Sequence, residues 1–122
     1  MKTILLIEDD HDQILLYQTK FELEGYGFLA AENGQEGLEK AEKKQPDLIL
    51  IDLLMPGMGG IEVLEKLKAH PKTKNLPAVI VTNLDKHDVA AKAMELGALD
   101  FIVKSKIPLR EMMSRIENHL KV

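Results

Sequence analysis

Six residues of this chain stand where carboxylate, hydroxyl and ammonium chemistry would need them. Glu8, Asp9 and Asp10 follow the apolar run TILLI, Asp52 follows LILI, Thr82 follows AVIV and Lys104 follows FIV. Three or more carboxylates gathered at one edge and partly desolvated repel one another, which raises at least one pKa. A hard divalent cation relieves that conflict. An all-oxygen set with no histidine or cysteine suits Mg²⁺, which keeps several waters and accepts phosphate oxygen as a further ligand. A hydroxyl at Thr82 and an ammonium at Lys104 complete a pocket for an anion. Such a set would suit phosphoryl transfer, with Asp52 expected as the nucleophile that becomes an acyl phosphate. The cation and Lys104 neutralise charge on the equatorial oxygens. Taken singly, Asp10 is a helix cap, Thr82 a strand terminus and Lys104 a solvent lysine. Their conjunction at the ends of four different apolar runs carries the argument.

Those residues need a frame that brings strand ends together. Thr3–Ile7, Tyr26–Ala31, Asp47–Ile51, Ala78–Val81 and Phe101–Val103 are short, apolar and aliphatic-rich, the pattern of strands buried on both faces. Amphipathic helices separate them. The first is expected to start at Asp10, with Gln13 three residues on as a capping box, and the second repeats the device with Asn33 and Glu36. A third follows Gly60 with Ile61, Leu64 and Leu67 on one side. A fourth starts near Asp85 and stops at Gly97. The last has Pro108 near its first turn and Leu109, Met112, Met113, Ile116 and Leu120 on one stripe. Five βα units with right-handed crossovers predict an α/β fold: a flavodoxin-like doubly wound parallel sheet in the order 2-1-3-4-5. Ligands of such sheets sit beyond the carboxyl ends of the strands, near the switch point between strands 1 and 3.

At 122 residues the chain is expected to be a single domain, 1–122, with one hydrophobic core. It has no cysteine, which excludes thiol catalysis and a disulfide framework and fits a cytoplasmic setting. The opening apolar run is too short for a signal peptide, and nothing later approaches a membrane span. A net charge of −4 argues against nucleic-acid binding by this domain alone. Lys40, Lys43, Lys44, Lys66, Lys68, Lys72 and Lys74 are interspersed with acids, as on a solvated surface.

The segments ILLIEDD, PDLILIDLLMPGMGGIEVL, AVIVTN and GALDFIVKS resemble, at matching spacing, the receiver domain of two-component response regulators, and the likeness extends over essentially the whole chain. The stand-alone, chemotaxis-regulator-like members are the nearest in organisation. The resemblance implies that Asp52 is the phosphoacceptor, supplied by a histidine kinase or a histidine phosphotransfer protein. It implies that Mg²⁺ is bound by Asp9 and Asp52, by Glu8 through water and by the backbone carbonyl of Leu54. Thr82 and Lys104 would hold the phosphoryl oxygens. Phe101 resembles the switch aromatic that turns inward as Thr82 moves, altering partner binding at the surface of helix 4, strand 5 and helix 5. Such a domain promotes only its own phosphorylation and dephosphorylation and is not otherwise an enzyme.

Two positions depart from the pattern. Ser105 stands where the family usually has proline, commonly after a cis bond. A cis bond before a non-proline costs roughly 2.5–4 kcal/mol, so a trans Lys104–Ser105 bond is expected. Leu54 and Leu84 are apolar where the family flanks the attacking water, so no side chain there is expected to assist acyl-phosphate hydrolysis. Three other functions compete for the same residues. A haloacid-dehalogenase-type hydrolase needs an aspartate where Leu54 stands, and a flavodoxin-like cofactor site needs a phosphate loop where EDDHDQ stands. The third, the alternative kept, is a phosphorylation-independent receiver-like interaction module.

Overall fold

The computed structural model describes residues 1–121. Ten regular elements alternate along it: β1 Thr3–Ile7, α1 His11–Leu23, β2 Gly27–Ala31, α2 Gly34–Lys44, β3 Leu48–Ile51, α3 Gly60–Ala69, β4 Ala78–Thr82, α4 His87–Glu95, β5 Asp100–Val103 and α5 Leu109–Leu120. A 3₁₀ turn, Lys104–Lys106, joins β5 to α5. The five strands form one parallel sheet in the order β2-β1-β3-β4-β5, as expected from the alternation. Register pairs Ile7 with both Ala31 and Ile51, and Ile51 with Ile80, so the strands around β1 and β3 end at one level.

Alternation along each strand builds two cores. Leu5, Ile7, Ile49, Ile51 and Ile80 face α2, α3 and α4 through Ala41, Val63, Leu64, Leu67 and Ala93. Ile4, Leu6, Leu48, Leu50, Val79 and Val81 face α1 and α5 through Tyr17, Phe21, Met112, Ile116 and Leu120. All eleven of those strand residues are essentially without solvent contact. Their burial, at about 25 cal/mol per Å² of apolar area, makes the sheet the stiff part of the molecule.

Several local expectations need correction. The Asp10 carboxylate does cap α1, accepting from the N–H groups of Asp12 and Gln13. The reciprocal arm of the capping box is not made, because Gln13 Oε1 accepts from Lys104 instead. On α2, Asn33 accepts from the Glu36 N–H, but the Glu36 carboxylate reaches the N–H of Glu32, one residue before the cap. Helix 4 begins near Asp85, as expected: α4 starts at His87, with Lys86 at the N-cap and no side-chain cap bond. The Asp85 carboxylate pairs with Lys106 Nζ at 2.7 Å, which pins it to the loop after β5. The expected stop at Gly97 holds, with φ at +103° in the left-handed region. All peptide bonds of the described residues are trans, Lys104–Ser105 included.

Candidate functional site

The sheet carries its ladder one residue past the apolar runs. The Glu8 N–H donates to Ala31 O at 2.9 Å and the Asp52 N–H donates to Ile7 O at 3.1 Å. Both carboxylates are therefore delivered by rigid backbone on adjacent strands. Glu8 and Asp52 are buried, whereas Asp9 is exposed at the rim. One oxygen from each of Glu8, Asp9 and Asp52 lies within 4.8 Å of the others. Three hard oxygens without nitrogen or sulfur fit a divalent cation such as Mg²⁺.

Two further strand ends close around them. Lys104, at the end of β5, directs Nζ to Glu8 Oε1 at 3.1 Å and to Asp52 Oδ2 at 3.7 Å, with only 13% of its side chain exposed. Asp52 Oδ1 accepts from the Leu54 N–H at 3.1 Å, so the two carboxylate oxygens have different neighbours. Thr82 is fully buried at the end of β4, and its hydroxyl accepts from the Leu84 N–H at 3.2 Å. Leu54 is 54% exposed. Phe101 is half-buried against the α2–α4 side of the core.

Burial pushes the Glu8 carboxyl up to about 7, a rise that Lys104 opposes and Asp52 reinforces. In the unfolded chain the same group sits near 4.5. The folded state thus holds this proton more tightly, and the stability it contributes falls as pH rises from about 4.5 through about 7. Thermal melts in chelator should therefore show Glu8→Gln more stable than wild type at about pH 8, with the gap closing by about pH 4.5. An unchanged gap across that window would mean that Glu8 ionises as easily folded as unfolded.

Residues 4–117 match the response regulator receiver domain family. The chain belongs to that family. This receiver domain is 36% identical over 101 residues to sporulation initiation phosphotransferase F of Bacillus subtilis, covering 83% of this chain and 80% of that protein. It is 34% identical over 120 residues to the phosphate regulon transcriptional regulatory protein PhoB of Pseudomonas aeruginosa, covering 98% of this chain and 52% of that protein. A similar solved structure is the Mn²⁺-bound form of the response regulator Rcp1, with a TM-score of 0.79, 26% identity and coverage of 97% and 91% of the two chains. The chain spans 24% to 52% of the length of the larger curated regulators it matches.

The receiver domain brings together four of the residues singled out in the sequence, Glu8, Asp9, Asp52 and Lys104, and sets Thr82 at the neighbouring strand end. Sequence reasoning found α1 but missed what it contributes to the site. Gln13 Oε1 lies 3.4 Å from Lys104 Nζ, and the Tyr17 ring centroid lies 5.8 Å from it. An i, i+4 pair on the inner side of α1 was the available signal. It was also missed that Asp100 Oδ1 pairs with Arg115 at 2.5 Å, while Oδ2 accepts from Arg115 Nε and meets His119, tying β5 to α5. Burial raises the Asp100 carboxyl, but the bonds from His119 and Arg115 outweigh it and hold the group below its ordinary value.

Proposed function

We propose that this chain is a phosphorylation-activated signalling switch that takes a phosphoryl group on Asp52 from a histidine kinase or a histidine phosphotransfer protein. The observation that carries this is the convergence of three carboxylate oxygens within 4.8 Å with a mostly buried ammonium 3.7 Å from Asp52. An Asp52 oxygen attacks the phosphorus, the bond from phosphorus to the donor's leaving group breaks, and its electron pair leaves with the donor. The Leu54 N–H holds the other carboxylate edge, which limits rotation of the nucleophile. Lys104 opposes the charge that gathers on the transferring oxygens. Mg²⁺ would be held by Asp9 and Asp52, by Glu8 through water and by the Leu54 carbonyl, supplying charge neutralisation on the phosphoryl oxygens.

The Thr82 hydroxyl, buried at the end of β4, would take up a phosphoryl oxygen, and Phe101 on the adjacent strand β5 would turn inward as it moves. Output then runs through α4, β5 and α5 to a downstream protein. The exposed Met94 and Leu99 in that region, 47% and 49% accessible, support a protein partner. Leu54 and Leu84 leave acyl-phosphate hydrolysis without a polar side chain at those positions. The setting we favour is the cytoplasm, where a kinase donor acts. Among the described residues no helix is long and apolar enough to cross a membrane.

The test is incubation of the whole chain with acetyl phosphate, read by intact mass. One phosphoryl group should appear with Mg²⁺ and fall to background with chelator. Equal uptake in both conditions, or none in either, overturns the proposal.

A further inference from the structure

We infer that Gln13 and Tyr17, one turn apart on α1, form a shelf that positions the Lys104 ammonium against Asp52, an inference that rests on the phosphoryl-transfer reading. Lys104 opens the turn Lys104–Lys106, whose other two residues are exposed, so the backbone at its root lies outside the core. Its side chain is nevertheless only 13% exposed. An ammonium has three donors to satisfy. Two face Glu8 Oε1 at 3.1 Å and Asp52 Oδ2 at 3.7 Å; the third faces Gln13 Oε1 at 3.4 Å. The Tyr17 ring closes the remaining side at 5.8 Å, within reach of a cation–π attraction.

The two carboxylates have other work, since both belong to the cation cluster. The amide and the ring are the partners of Lys104 that serve nothing else there. Both are uncharged, so they hold the cation without neutralising it, and its full charge remains for the incoming phosphoryl oxygens. A carboxylate at position 13 would hold Lys104 as firmly and oppose the same oxygens. Tyr17 is a firm floor for this purpose: it is 1% exposed, tilted against Phe21 at 6.3 Å, and its hydroxyl donates to the Met112 sulfur at 3.8 Å. That hydroxyl points into the α1–α5 core, so the ring and not the phenol is what Lys104 meets. Gln13 and Tyr17 are positioning residues; they act through Lys104.

The experiment measures phosphorylation rate from acetyl phosphate with Mg²⁺, together with labelling of Lys104 by an amine reagent read by mass spectrometry. Gln13→Leu should slow uptake about fivefold and raise Lys104 labelling, with an unchanged Tm. Gln13→Glu should keep Lys104 protected yet slow uptake, a split that a purely structural role would not produce. Tyr17→Leu, which removes the ring, should slow uptake and raise Lys104 labelling as Gln13→Leu does. In a Lys104→Ala background, Gln13→Leu should have no further effect. Wild-type rate and labelling in Gln13→Leu, or the same fold-loss in the Lys104→Ala background, overturns the inference. A wild-type chain that takes up no phosphoryl group overturns the function reading instead, and labelling still decides whether α1 holds the lysine.

Discussion

Asp52→Asn should lower phosphoryl uptake from acetyl phosphate by roughly a thousandfold or more, with a circular dichroism spectrum that matches wild type. The amide is the same size as the carboxylate, and its oxygen can still accept from the Leu54 N–H, as Asp52 Oδ1 does at 3.1 Å. What it lacks is a charged oxygen to attack phosphorus. The substitution also removes one of the three clustered carboxylates, so any affinity for Mg²⁺ should fall with it. A second consequence is specific to this geometry. Asp52 helps raise the Glu8 carboxyl toward 7, so Glu8 should titrate lower in the variant. If Asp52→Asn took up phosphoryl groups at the wild-type rate, the acceptor would lie elsewhere, and the rim of carboxylates would have another purpose.

Gly60→Ala costs about 3 kcal/mol, the upper part of the range for forcing an atom into a packed site. That corresponds to a Tm roughly 10 °C lower for a domain of this size. Gly60 opens α3, and a Cβ there would sit 2.5 Å from the Asp52 carbonyl oxygen and 2.8 Å from Leu53 Cα. Those are backbone atoms of the segment that delivers Asp52, so relief requires that the helix or the strand end move. Phosphoryl uptake should therefore drop even in the fraction that remains folded. The neighbouring glycine supplies the control. A Cβ at Gly59 would meet only Leu53 O at 3.7 Å, an ordinary contact, and Gly59 is the N-cap of α3 without a side-chain cap bond. Gly59→Ser should leave the melting curve unchanged or shift it upward, since serine can cap the helix. Equal losses at both positions would show that the loop is intolerant in general and that the approach of α3 to Asp52 is not the cause.

The two variants separate what the strand supplies from what its surroundings supply. Asp52 brings the oxygen proposed to react; Gly60 allows a helix to pack against the backbone that carries it. Lys104 joins the two sides, because its head reaches back across the sheet to Glu8 and α1 while its root lies at the far strand end. The depressed Asp100 carboxyl works at the opposite end of β5. Its link to Arg115 and His119 fixes the strand against α5, so Phe101 is held from its own N-terminal side by the Phe101 N–H bond to Asp100.

Periodicity along the chain was enough to determine the five βα units, the sheet order and the polar residue at each strand end, because burial on both faces leaves a strand no other composition. It was also enough to bring Glu8, Asp9, Asp52 and Lys104 to one rim, since parallel strands must end on the same side. Tertiary structure alone decided which partner each versatile side chain takes. Gln13 gives up its capping role for Lys104, and Asp85 pairs with Lys106 across the loop after β5. A carboxylate or amide has several acceptable donors within a few residues, at similar local cost. For Gln13 and Asp85 the choice is made by a lysine that only the fold brings near.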